Sequence, residues 1–542
     1  MYKETAAALR CFSGCIIKEK AFKTLIFIIG KTQVSPHKYN YVDLHFWTRR
    51  KTMENFVAIT EVIKNVVWSN ILVILLMGAG IYFSIRLKFP QLRFFKEMIR
   101  VLKGNGDTSD GITPFQAFAT ALGARVGVGN IAGVATAIYF GGPGALFWIW
   151  AFGFFATCTA LSEAVLGQAY KIKTGNEYLG GPAFYIERGL KCKPLAKIFA
   201  IILILGIGIL MPGIQMDAIV TTLDNAYGVN TLVTAIIGTA LIGIIIWGGI
   251  KRIGRVAEGM APFMCAIYLL FGIAVIIQNI TKVPEVFSVI FTSAFGTNAI
   301  FGGILGSAVS WGVRRGIFST DAGYGSGGIM AAAAEATHPA KQGLIQALSI
   351  YLSIFIVCTI SGLVILLSGI YNVVDESTGA MLAQGAPNLE QGALWVQTAL
   401  NNLTPNTIPW EGKILSVIIA LFALTTLLGY YYQIESNVRY LFRNVGTLGR
   451  TILRLAFLAA IFIGGIADSS MLWNVMDIGV ACMAWINIIV ILILSNQVAK
   501  IMKDYEIQKK AGIMEPVFNP KLLNIEDTTQ VWSKYQKESD RL

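Results

Sequence analysis

A chain of 542 residues that is 55% hydrophobic and only 14% charged has more apolar runs of about twenty residues than a soluble core needs. A soluble globular protein is thereby excluded, and a polytopic helical membrane protein remains. The formal charge of +13 comes from 44 Lys+Arg against 31 Asp+Glu; in such a chain it marks cytoplasmic loops before it marks nucleic-acid binding.

Residues 1–52 hold ten Lys/Arg against three Asp/Glu, and their one apolar run, Leu25 to Gly30, is too short to span. No signal-peptide cleavage pattern follows. An ordinary start, MENFVAITEVIKN, opens at Met53, so 1–52 reads as a poorly structured or spurious extension. Residues 53–114 then supply the first span, about 66–87, and a basic loop.

The second span, about 115–140, is the unusual one. It contains Gly123, Gly127, Gly129 and Gly133, each costing a helix roughly 1 kcal/mol against alanine. Unwound backbone is tolerated in lipid only where protein, water or a solute satisfies it, and a broken helix offers donors at one half and acceptors at the other. Close packing through Gly129-xxx-Gly133 is the alternative reason for such glycines.

Further spans read as 143–169, 197–220, 231–249, 260–280, a second glycine-broken stretch at 300–334, 344–370, 413–434, 450–467 and 472–496. That makes eleven. The loop 371–412 and the tail beyond Lys500 read as solvated. Basic residues after spans one, three, five, seven and nine place those loops and the C-terminal tail in the cytoplasm of a multi-pass protein of the cell (inner) membrane. The two broken spans lie five apart, which predicts two five-helix repeats of opposite orientation, 115–280 and 281–499, with a polar tail from 500 to 542. Paired broken helices in inverted repeats point to a secondary transporter with a mid-membrane site.

Three scattered histidines (His37, His45, His338) and seven cysteines without metal spacing offer no metal cluster and no nucleophile–base pair, so an enzyme is not expected. No Walker A pattern occurs, which argues against an ATP-driven pump. Arg125, Glu163, Asp217, Arg314, Arg315, Asp321 and Glu435 are ionisable groups within or at the ends of spans. Such groups pair or face a water-filled path, and an ion pair between Arg125 and a carboxylate is one expectation.

The runs GARVGVGNIAGVATAIYFGGPGALFWIW and GVRRGIFSTDAGYGSGGIMAAAA, with GGPAFYIERGL, HPAKQG and TTLLGYYYQIESNVRYLF, resemble the alanine or glycine:cation symporter family over about residues 60 to 500. The start of span two also resembles the first helix of sodium-coupled neurotransmitter-type transporters. The resemblance implies an all-α five-plus-five fold with one extra N-terminal span, and sodium-coupled symport of alanine or glycine. It implies a substrate site at Gly127, Val128, Gly129 and Asn130, with Gln215, with Gly316, Ile317, Phe318 and Ser319 in the second break, and with Gly429 and Tyr430 along the wall. It implies sodium at Gly123, Val126, Thr425 and Thr426, and no cofactor beyond that coupling ion. Threonines at these positions also commonly bond back to their own helix. The chain departs from the family at Tyr430 (commonly Trp), at Ser319–Gly323 (commonly S-N-E-A-G), at Ser436 (Lys) and at Asp217 (Asn). Asp217 or Asp321 would be the carrier if the transported ion were a proton.

Overall fold

The computed structural model describes residues 59–103, 111–296, 301, 304–385, 392–403, 411–442, 445–467, 469–525 and 531–533. The expectation for residues 1–52 lies outside these. Residues 59–63 are helical and belong to a separate unit; everything from Lys64 onward forms one.

Among the described residues, eight helices are long and apolar enough to cross a membrane, or nine if one bent pair counts as a span. Eleven were expected. Two of the differences have plain causes. The stretch 231–249 gives a helix of only 16 residues, Thr231–Ile246, started by the Asn230 side chain, which accepts from the amides of Leu232 and Val233. The stretch 300–334 is divided into Leu305–Thr320 and Ser326–Ala332, each short by itself.

Local chemistry sets the helix ends. Thr113 begins Pro114–Arg125 through a capping box: its hydroxyl accepts the Gln116 amide at 3.0 Å and Gln116 accepts the Thr113 amide at 3.2 Å. Gly228, at φ +65°, ends Pro212–Tyr227 in the left-handed conformation that side chains resist. Helices 231–246, 249–278 and 447–464 expose Ile236, Ile244, Phe263, Leu270 and Ile452, the apolar faces a lipid environment accepts. Helices Ala145–Ala169, Pro339–Ser368 and Gly412–Leu441 are mostly buried. They surround both broken spans.

Two spans contain wide-turn π segments, Gly206–Leu210 and Tyr351–Cys358, which often mark functional positions. Two small antiparallel hairpins interrupt the helices. One pairs Ile172 with Leu179 and Thr174 with Glu177. The other pairs Asn372 with Gln384 and Val373 with Ala383, then shifts register.

The loop 371–412 is not simply solvated. Its helix Ala393–Leu403 buries Trp395, Val396 and Leu400.

The tail beyond 500 also departs from expectation. Helix Ser495–Lys510 buries Val498, Ile501, Met502 and Tyr505, and Phe518, Ile525 and Trp532 beyond it are buried as well. Periodic apolar residues in a polar segment make an amphipathic surface that docks. The Trp532 indole N–H donates to the Ala169 carbonyl at 3.3 Å, and the Phe518 amide donates to the Thr337 carbonyl at 3.0 Å. His338 is the pin. Its Nδ1 accepts the Ala340 amide at 3.1 Å and its Nε2 meets Asp504 at 3.1 Å, so the docked ring is the neutral form.

Burial lowers the His338 imidazole below its ordinary value, against an upward pull from Asp504. The detached state therefore binds more protons than the docked one, and docking weakens as pH falls through the ordinary histidine range. Tryptic cleavage at the exposed Lys521, measured relative to cleavage of an unstructured peptide at each pH to cancel the protease's own pH dependence, should accelerate with that acidification. An unchanged rate would remove His338 from the docking contact.

Candidate functional site

The first broken span bends by 57° between Pro114–Arg125 and Val128–Gly141. The helix ends because Val126 (φ −84°, ψ 82°) and Gly127 (φ −128°, ψ −158°) leave helical geometry. The Gly127 amide consequently turns away from the Gly123 carbonyl. It donates instead to Asn130 Oδ1 at 3.2 Å and to the Arg125 carbonyl at 3.1 Å. Gly123 is left with a freed acceptor.

Two hydroxyls from helix Glu411–Leu441 take that acceptor. Thr426 Oγ1 donates to the Gly123 carbonyl at 2.9 Å and Thr425 Oγ1 at 3.2 Å. Each hydroxyl also has the Phe422 carbonyl of its own helix at 2.9 Å. If the hydrogens turn to the helix, both oxygens present lone pairs beside the freed carbonyl. Three neutral oxygens from two elements then lie together, each hydroxyl within 3.2 Å of the Gly123 carbonyl, and neutral oxygens are the donor type a hard cation takes. Val126 lies at the break, and no bond of its carbonyl enters this cluster.

Just beyond the bend, the backbone comes so close to its neighbours that only glycine fits. A Cβ on Gly127 would lie 2.5 Å from Thr426 Oγ1 and 3.2 Å from Gln215 Oε1, and one on Gly129 would lie 2.6 Å from the Phe318 ring. The Val128 amide donates to Gln215 Oε1 at 3.3 Å, so the glutamine reaches from span four onto the N-terminal donors of the next half-helix. Gly429 packs the same way, its Cβ position 2.6 Å from Ala124. Tyr430 beside it is buried, as are Tyr431 and Tyr432; they form part of the core and not an interfacial belt.

Residues 316–319 need correction. They do not lie in the second break, which falls at Asp321–Gly325: helix Leu305–Thr320 continues through them. Asp321 (φ +52°), Gly323 (φ +106°) and Gly325 (φ +93°) take left-handed conformations there. The Ile317 carbonyl is occupied by the Asp321 amide at 3.0 Å and the Gly316 carbonyl by the Thr320 hydroxyl at 2.9 Å. Gly316 faces Phe152 instead. Phe318 and Ser319 do meet the first break, the latter donating to the Gly129 carbonyl at 3.1 Å.

Asn130 turns its amide nitrogen to Ser353 Oγ at 2.7 Å and the Ser353 carbonyl at 3.2 Å, and Ser353 Oγ in turn donates to the Ser319 carbonyl at 2.5 Å. Ser353, within the second π segment, thereby ties the first broken span to the second. One serine in an apolar run carries no signal in the sequence. Glu163, Asn487 and Tyr185 were also missed as a group: Glu163 Oε1 accepts the amides of Gly323 and Gly325 at 2.8 and 3.1 Å and the Asn487 amide at 2.6 Å. The Glu163 carboxyl group here caps the unwound second break through Oε1, just as side chains cap helix N-termini.

The ion pair expected for Arg125 goes elsewhere. The buried pair is Arg315 with Asp477 at 2.8 Å, flanked by Trp311 and Trp473 rings 5.0 and 4.7 Å from the guanidinium. Arg125 uses Nη1 on Gln346 Oε1 at 2.6 Å and on Ser349.

The comparisons with known proteins agree with this architecture. The model of the sodium:alanine symporter family matches residues 53–520. A putative sodium/proton-dependent alanine carrier, YrbD of Bacillus subtilis (strain 168), is 41% identical over 493 residues, covering 90% of this chain and 100% of that protein. A sodium/proton-dependent alanine carrier of Bacillus sp. (strain PS3) is 42% identical, covering 78% and 94%. A probable sodium/glutamine symporter, GlnT of Bacillus subtilis (strain 168), is 37% identical, covering 91% and 98%. With the match extending across the bundle and through both breaks, the chain belongs to the sodium:alanine symporter family, membrane transporters and not enzymes.

Proposed function

We propose that the protein is a sodium-coupled symporter that brings a small neutral amino acid, alanine or glycine, into the cell by alternating access. The observation that carries this reading is the freed Gly123 carbonyl met by Thr425 and Thr426, one bend away from the Gly127 and Val128 amides, which are held by the side-chain oxygens of Asn130 and Gln215 that a substrate carboxylate would replace. A cation and a carboxylate placed on those two sets would each complete the other's surroundings, which is the physical basis of coupling.

In this reading sodium sits among Gly123, Val126, Thr425 and Thr426. The substrate carboxylate takes the amides of Gly127, Val128 and Gly129 in place of the Asn130 and Gln215 oxygens that hold the first two, leaving those side chains to turn their amide nitrogens toward it. Phe318 and Ser319, with Gly429 and Tyr430, line the remainder. The ammonium is better served by the region around Ser319 and the carbonyls of the second break than by Gly316 and Ile317, whose carbonyls are already used. Tyr430 and Gln215 standing together set the polarity of the wall. The two five-helix repeats then rock about this site, with the loops after the odd-numbered spans and the C-terminal tail on the cytoplasmic side.

A second reading has a proton as the coupling ion, with Asp217 or Asp321 as its carrier; the two alanine carriers similar to this chain are described as dependent on sodium or protons. Labelled alanine uptake into proteoliposomes, with sodium, lithium and proton gradients imposed separately, tests both. Sodium should drive accumulation above the external concentration. Equilibration without accumulation under every gradient would sink coupled transport and leave a channel or sensor.

A further inference from the structure

The core beside the second break contains charges that do not balance. Glu163 is completely buried, Asp321 is 2% exposed and Arg125 is 2% exposed, and the three lie within electrostatic reach of one another. Other titratable groups facing them are the phenols of Tyr324, which donates to Asp321, of Tyr185, which donates to Asn487, and of Tyr430, buried within electrostatic reach of Asp321. Neighbouring helices Pro339–Ile350 and Ser469–Ile493 present neutral partners: Gln346, Ser349 and Asn487. Arg315 is matched by Asp477, and Arg314 reaches the Trp68 carbonyl at 3.2 Å. One guanidinium therefore faces two carboxyl groups.

The guanidinium does not close on either. Arg125 Nε and Nη2 and Glu163 Oε2 are buried without a hydrogen-bond partner. Both charged ends face the same spot: a Cβ on Gly327 would lie 2.4 Å from Arg125 Nη2 and 3.7 Å from Glu163 Oε2. Glycine at 327 keeps that space open. An uncompensated charge in such a place is strongly unfavourable even after relaxation.

We propose that Glu163 and Asp321 share a single proton, seated on Glu163 Oε2, which brings this buried cluster to neutrality. Oε1 cannot carry it, since three donors already point there. Oε2 gives up no hydrogen bond by becoming a hydroxyl. Losing the proton to water leaves one bare negative charge in the core, relieved only when water or a cation reaches it. The cap over Gly323 and Gly325 is thus tied to an opening of the second broken helix, a consequence that rests on the proposed transport cycle.

The test is infrared spectroscopy of the full chain in lipid vesicles at neutral pH, reading the carbonyl stretch of a protonated carboxylic acid. The band should be present in the wild type. It should vanish in Glu163→Gln, which keeps an Oε1 acceptor for the same three donors. It should vanish equally in Asp321→Asn, because one remaining acid is balanced by Arg125. A wild type without the band, or a band that survives either substitution, overturns the proposal. Should a variant fail to fold, carbon-13 labelling of glutamate in the wild type must shift the band, and an unshifted band overturns it. No gradient or substrate is used, so failure of uptake and failure of this proton site are separate results.

Discussion

Gly129→Val is expected to reduce alanine uptake roughly a hundredfold or more while the protein still inserts and folds, as read from labelled uptake beside a size-exclusion profile. The new Cβ alone would sit 2.6 Å from Cδ1 and 2.8 Å from Cε1 of Phe318, and both γ-methyls would add to the clash. The ring cannot retreat. It is 4% exposed and stands edge-on to Trp473 with centroids 6.0 Å apart. Relief must come from moving the half-helix that starts at Val128, which displaces the amides offered to the substrate. Gly259→Ala is the matching control, since a Cβ there meets nothing within 4 Å. Normal transport by Gly129→Val would refute the argument that the backbone must approach this closely.

Thr426→Val should raise the sodium concentration for half-maximal uptake about tenfold, the worth of one buried polar contact at 1–2 kcal/mol. Expression should change little, because valine nearly matches threonine in shape and the Phe422 carbonyl keeps its place in the helix. Thr425→Val should act in the same direction. Its hydroxyl is the farther from Gly123, at 3.2 Å against 2.9 Å, so the shift should be the smaller. Sodium titration of uptake decides the matter. An unchanged half-saturation for both variants would take these hydroxyls out of the cation site and leave them as ordinary helix-bonding threonines.

These expectations start from residues legible in the chain itself. Four glycines in eleven positions of an apolar stretch announce a broken span, because lipid penalises loose backbone and a helix penalises glycine. The hydropathy pattern announces a helical membrane bundle, and the family motifs bring Gln215, Thr425 and Thr426 into consideration. The second break was legible in kind and misplaced in position. Glycine content marked 300–334, but the bend waits until Asp321–Gly325, where three left-handed residues coincide. Gly316 can sit in a continuous helix because it packs on Phe152.

By itself, then, the sequence determined the membrane class, the existence of two interrupted spans and the residue types around the first, all of which follow from local composition and periodicity. Only the tertiary structure decided who meets whom. It brought Ser353 to Asn130 across 223 positions, gave Glu163 to the second break across 160, joined Arg315 and not Arg125 to an acid, and folded the supposedly free tail onto the bundle. The reason is physical: a hydrogen bond or ion pair is made by atoms a few ångströms apart, and no one-dimensional pattern records which helices end up side by side.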